Sequence, residues 1–185
     1  EQGVIFIFDE VVTGFRCSPG GAQQAFDIKP DLTTLAKILA GGLPGGAVAG
    51  RKDILDDLDF ERAAAQGREK IGHPGTFNAN PVSAAAGIAA LKIIEQTDAC
   101  EKANGSAAIL RENFNNVLEK HNVPWAAYGT FSGVHLYMDK NGQTINQSTF
   151  NPHEIEYVDL KNKDKELVTK LRLAMAINGV DFNNS

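Results

Sequence analysis

Val4-Ile-Phe-Ile-Phe-Asp-Glu10 decides the fold. Five β-forming residues run without a polar break into two adjacent carboxylates. A continuous apolar run of that length is the pattern of a strand buried on both faces, as in a parallel sheet covered by helices. In open α/β sheets, ligands sit beyond the C-terminal ends of the strands, so Asp9 and Glu10 stand where functional carboxylates are placed. The simpler use of such a residue is to cap the turn that follows the strand.

A second segment, Thr34-Leu-Ala-Lys-Ile38, places Lys37 in an apolar stretch just before the glycine-rich turn Gly41-Gly-Leu-Pro-Gly-Gly46. A lysine in apolar surroundings has a depressed pKa and a nucleophilic amine, as carbonyl-capturing lysines require. Pyridoxal phosphate needs both halves: an amine for its aldehyde and an acid beside its pyridinium nitrogen. A remote alternative is a P-loop-type nucleotide-binding protein, because an apolar strand ending in Asp-Glu also matches a magnesium-holding strand. Gly45-Gly-Ala-Val-Ala-Gly50-Arg51-Lys52 is a poor phosphate loop, with Arg51 where lysine is required, and it follows the acidic strand instead of preceding it.

Four stretches occur in order: Asp9-Glu-Val-Val-Thr-Gly-Phe-Arg16, Pro30-Asp-Leu-Thr-Thr-Leu-Ala-Lys37, the 41–46 glycine turn and Gly75-Thr-Phe-Asn-Ala-Asn-Pro81. Together they resemble the class III, fold-type I pyridoxal-phosphate aminotransferases, in the branch that holds glutamate-1-semialdehyde aminomutase and its β- and ω-aminotransferase relatives. Lys37 lies 28 residues after Asp9, the separation that branch shows. The resemblance is dense from about residue 4 to 90 and diffuse afterwards. It implies a mostly parallel sheet with helices on both faces, followed by the start of a small α+β C-terminal domain.

The resemblance also assigns roles. Asp9 accepts the pyridinium N–H, Val11 presses on the cofactor ring, and Lys37 forms the Schiff base and then shuttles a proton. Thr76 reaches the cofactor phosphate of the neighbouring subunit, which makes the active site a homodimer property. The blander readings are core packing for Val11 and an ordinary helix-entry segment for Thr76. Arg16 and Gln24 match the family with structural roles. Ala40 departs from it, standing where a glycine is usual. The implied reaction moves an amino group between an amine or amino acid and a keto or aldehyde acceptor, both small molecules. The alternative is intramolecular amino transfer of the glutamate-1-semialdehyde 2,1-aminomutase type.

With 185 residues, 43% of them apolar and 22% charged, the chain can bury one sizeable core and begin a second. A formal charge of −5 with no basic run disfavours nucleic acid and anionic membranes as partners. No apolar stretch reaches membrane-spanning length, and the N-terminus lacks a signal pattern. Cys17 and Cys100 form neither a metal nor a redox spacing, which points to the cytoplasm; no metal site is expected. The chain enters a core strand within four residues and stops in a turn-rich segment. The expectation is therefore a fragment: residues 1–122 as the C-terminal part of a cofactor-binding large domain, 123–185 as the beginning of the small one. Such a piece is expected to be inactive in isolation.

Local patterns predict strands over 4–8, 32–38 and 47–50, and a short helix over 52–58. They predict an exposed excursion over 59–72 and helices from Pro81 to about Glu95 and from about Asp98 to His121. Residues 125–138 read as a strand pair and 139–163 as a surface loop. The stretch 164–178 reads as an amphipathic helix with Leu167, Val168, Leu171, Leu173, Ala174 and Ile177 inward, stopped by Gly179.

Overall fold

The structure, a computed structural model, describes residues 3–139, 142, 144–161 and 163–182. Packing divides the chain into two units, residues 1–102 and 103–185.

The first unit is built on a three-stranded sheet of β1 (Ile7–Glu10), β2 (Leu32–Ala36) and β3 (Gly46–Gly50), in that order. β1 and β2 are parallel, with Asp9 opposite Thr34 and Glu10 opposite Leu35; β2 and β3 are antiparallel. Asp31, just ahead of β2, fastens all three strands. Its carboxylate accepts from the Phe6 N–H and from Arg51, its own N–H donates to the Phe6 carbonyl, and its carbonyl accepts from the Arg51 N–H.

Two strand expectations need correction. β1 begins at Ile7, and Val4 to Ile7 are exposed, Val4 by 80%. β1 is the edge of this sheet, so among the described residues no strand pairs along its other side. β2 ends at Ala36 because Lys37 turns left-handed (φ 51°) and opens a 3-10 turn, Lys37–Ala40.

Short helices follow β1 and β3: α1 (Gly21–Phe26), then α2 (Lys52–Leu55) and α3 (Phe60–Ala65), the last inside the stretch expected to be an open excursion. Asp59 caps α3 through the N–H groups of Glu61 and Arg62, and Ala63 is buried beneath it. α4 (Pro81–Gln96) starts on proline, with Asn80 accepting from the Val82 and Ser83 amides. Its Ala- and Gly-rich face meets the 3-10 turn. A Cβ on Gly87 would lie 2.4 Å from the Leu39 carbonyl oxygen, and one on Gly41 (φ 61°) 2.4 Å from that of Ala86. The small residues of α4 are thus spent on backbone-to-backbone approach.

α5 (Ala99–Lys120) begins in the first unit and continues through the second, where it packs on the antiparallel pair β4 (Trp125–Tyr128) and β5 (His135–Met138). Asn115 pins β4 by accepting from the Ala127 N–H at 2.7 Å and donating to its carbonyl at 3.0 Å. Arg111 donates to the carbonyls of Phe131 and Gly133 and closes the β4–β5 turn. The stretch expected as loop contains a helix, α6 (Tyr157–Lys161), and α7 (Lys165–Ile177) is capped by Asp164. Leu167, Val168 and Leu171 join the core of Ala127, Leu136 and Met138, with Trp125 and Phe114. Leu173 and Ile177 are exposed, because they lie off the helical face that residues 167, 168 and 171 share.

Candidate active site

Parallel pairing of β1 and β2 brings Asp9 and Lys37 to the same end of the sheet. Asp9 stands opposite Thr34, and Lys37 follows the last residue of β2. Lys37 is exposed, not enclosed as its apolar sequence context suggested, because it terminates the strand instead of lying within it. Its left-handed backbone costs a non-glycine residue about 1 kcal/mol. Gly41 and Gly87 clamp the turn that imposes this conformation onto α4, and Ser83 of α4 donates to the Pro44 carbonyl at 2.7 Å. The lysine is carried by a tightly packed corner.

Asp9 uses one carboxylate oxygen for structure. Oδ1 accepts from the Val11 N–H and from the Thr34 hydroxyl, both at 2.9 Å. These two bonds, the Val11 amide first, hold its pKa below the ordinary aspartate value despite some desolvation. Among the described residues no donor meets Oδ2. The carboxylate caps the turn with one oxygen and presents the other outward. Val11 is half-buried beside it.

Glu10, which motif reading left without a role, is the most enclosed side chain here, 1% exposed. Strand alternation sends it to the face opposite Asp9. It accepts from the Ala22 N–H (3.0 Å), the Gln23 N–H (2.8 Å), the Gln23 amide (3.2 Å) and the Thr13 hydroxyl. Burial alone would raise its pKa; the four hydrogen bonds outweigh that and lower it. Gly21 (φ 72°) is required beneath it, since a Cβ there would come within 2.6 Å of the carboxylate. Gln23 in turn accepts from Thr33 of β2 at 3.1 Å. Gln24 also has a local structural use, accepting from the Gly20 N–H and the Ser18 hydroxyl.

Thr76 is exposed and opens the turn 76–79, directly before the Asn80 cap of α4. Asn80 already takes the Val82 and Ser83 amides, so an anion at Thr76 would meet the turn and not those two helix-end donors. Through α4 this turn is fixed to the 37–46 corner, but among the described residues no hydrogen bond joins Thr76 to Lys37 or Asp9. A cavity of about 770 Å³ lies between the corner and the turn, lined by Ala40, Gly45, Phe77, Asn80 and Gly87 among others. None of Asp9, Val11, Lys37 and Thr76 lines it.

The segment that imitated a phosphate loop is strand β3. Arg51 is engaged with Asp53 and Asp31, the first contributing most to raising its pKa. Cys17 and Cys100 are buried thiols whose pKa values burial pushes up. Among the described residues no three metal-ligating side chains come together, and no helix is long and apolar enough to cross a membrane.

The family model for aminotransferase class-III matches residues 1–161. Glutamate-1-semialdehyde 2,1-aminomutase of Methanococcus maripaludis (strain C7) is 40% identical over 184 residues, 97% of this chain and 38% of the relative. The enzyme of that name from Sulfurisphaera tokodaii is 48% identical over 118 residues, 64% of this chain and 26% of the relative. Among solved structures, a β-phenylalanine aminotransferase from Variovorax paradoxus superposes with a TM-score of 0.75 at 26% identity, over 96% of this chain and 37% of that one. An omega-transaminase from Sphaerobacter thermophilus gives 0.64 at 34% identity, over 75% and 30%. The chain thus spans well under half the length of the relatives it matches.

Proposed function

This chain belongs to the class-III aminotransferase family and has its fold-type I architecture, and we propose that it carries the lysine and carboxylate of a pyridoxal-phosphate-dependent amino-transfer site. The observation that carries the reading is the pairing of β1 with β2. It sets an ionised carboxylate with one uncommitted oxygen and a primary amine on a clamped turn at one end of adjacent parallel strands. This donor set fits the cofactor: an anion for a ring N–H and an amine for an aldehyde.

When bound, pyridoxal phosphate supplies the carbonyl for amine exchange and a ring that spreads the electron pair left at the substrate carbon. Asp9 Oδ2 would hold the ring nitrogen by accepting its N–H, which would keep the proton on the ring. Val11, half-buried next to that carboxylate, would bound one face of the ring. Lys37 Nζ would hold the cofactor through its aldehyde and, when free of it, would act as the base that moves a proton at the substrate carbon. Thr76 serves the phosphate of a partner subunit, so the working form is a homodimer. Substrates are a small-molecule amine or amino acid and a keto or aldehyde acceptor. Residues 1–122 belong to the large domain, residues 123–185 begin the small one, and the protein works in the cytoplasm.

A second reading, intramolecular amino transfer, is favoured by the 40% identity to an aminomutase across nearly the whole chain. Both readings use the same residues. The test supplies the complete, cofactor-loaded protein with amino donors plus a keto acid, and separately with an amino aldehyde alone. Transfer that needs the second acceptor supports the aminotransferase; isomerisation without one supports the mutase. Neither activity, with cofactor demonstrably bound, would refute both.

A further inference from the structure

Asp9 can serve a ring nitrogen only if its carboxylate stays ionised and aimed, and the sheet register supplies a residue for that. Thr34 sits directly opposite Asp9 in the parallel β1–β2 pair, on the strand whose last residue, Ala36, precedes Lys37. Its hydroxyl donates to Asp9 Oδ1 at 2.9 Å, and the Val11 N–H donates to the same oxygen at 2.9 Å. Two donors on one oxygen fix both the rotation of the carboxylate and its charge, leaving Oδ2 to face outward. We propose that Thr34 is a positioning residue for cofactor binding and amino transfer, holding Asp9 so that its second oxygen keeps a proton on the cofactor ring nitrogen.

The inference rests on the reading of Asp9 given above. A carboxylate that accepts a hydrogen bond is a weaker base, so it competes less for the ring proton. Removing the hydroxyl makes Asp9 more basic and frees its rotation, and both changes draw the shared proton away from the ring. Lys37 lies three positions after Thr34, so one strand sets the carboxylate and leads directly into the amine. The backbone donor from Val11 survives any side-chain change, which bounds the effect of losing Thr34 below that of losing Asp9.

The test uses the complete holoenzyme loaded with 15N-labelled pyridoxal phosphate, in Thr34→Val, Thr34→Ser and Asp9→Asn forms. The readouts are the ring-nitrogen chemical shift, the rate of cofactor loss on dialysis, and kcat with KM. Thr34→Val should move the ring nitrogen part of the way toward its position in Asp9→Asn and lower kcat by about tenfold, the scale of one hydrogen bond to a charged group. KM should change little. Thr34→Ser should keep the wild-type shift. A purely structural role predicts the reverse order, because valine is the better strand former and serine the poorer. Should Thr34→Val fail to load cofactor, Thr34→Ala carries the same comparison. An unmoved shift in Thr34→Val, with Asp9→Asn displaced, overturns the role of Thr34 and leaves Asp9 standing. An unmoved shift in Asp9→Asn removes the Asp9 reading and this inference with it.

Discussion

Replacing Glu10 by alanine should loosen the segment behind the site without touching the reacting groups. The carboxylate accepts from two backbone amides at the start of α1, from the Gln23 side chain and from the Thr13 hydroxyl, in a site closed to solvent. A hydrogen bond to a charged group contributes about 1.5–3 kcal/mol, and a buried donor left unpaired costs about 1–3 kcal/mol. Thr13 and Gln23 can find water, so the two orphaned amides dominate, and the loss is about 3 kcal/mol. At about 1.4 kcal/mol per decade, this is a loss of roughly 100-fold in hydrogen-exchange protection at Ala22 and Gln23. Exchange measured by NMR or peptide mass on the complete protein reads it directly. Gln24→Ala, which removes partly exposed bonds one residue further on, is the control and should cost well under tenfold. Protection at Ala22 and Gln23 unchanged in Glu10→Ala would refute the assignment of this carboxylate as the anchor of α1. The sign of the pH dependence follows from its lowered pKa. The folded state holds Glu10 ionised below the unfolded value near 4.5, so its stabilisation is full above that pH. It is lost as pH falls through the lower folded value.

Gly87→Ala sets a Cβ 2.4 Å from the Leu39 carbonyl oxygen, so α4 and the Lys37 turn must part at a cost of about 1–3 kcal/mol. Faster cofactor loss on dialysis should accompany this, and unchanged retention would show that the clamp does not hold the lysine. Asp9→Asn should leave the cofactor bound yet lower turnover by at least about 100-fold; near-wild-type turnover would reduce Asp9 to its turn-capping bond with Val11. Mixing inactive Lys37→Ala with inactive Thr76→Asp should restore activity once subunits exchange. In the mixed dimer, the intact lysine then borrows the intact threonine of the Lys37→Ala chain. No recovery, with exchange confirmed by native mass, would place Thr76 in its own subunit's site or outside the chemistry.

Asp9 and Lys37 were legible because each stands at a strand end that composition announces: apolar residues, then a charge, then turn formers. Glu10 carries the same announcement but not its meaning. Only the alternation of β1, together with a left-handed Gly21 beside the donor amides of Ala22 and Gln23, shows that it faces inward to cap α1. Thr34 was beyond reach for a related reason. Its link to Asp9 depends on the register of two strands 25 residues apart, and pattern reading of either strand alone does not give register. The slim face of α4 was visible as alanines and a glycine, while its partner, the backbone of Leu39 to Gly41, emerges only from packing. Helix existence in 81–96 and 99–120 followed from period and a proline start. The strand over 4–8 was misplaced because a solid apolar run marks a buried strand without marking where hydrogen bonding begins, and here it begins at Ile7.

The central claim is that Lys37 is the amine that holds the cofactor. Borohydride reduction of the complete, cofactor-loaded protein, followed by proteolysis and mass mapping, should put one pyridoxyl group on Lys37 and abolish the visible absorbance band. A label on another lysine, such as Lys29 or Lys52, or no label despite bound cofactor, would contradict the account.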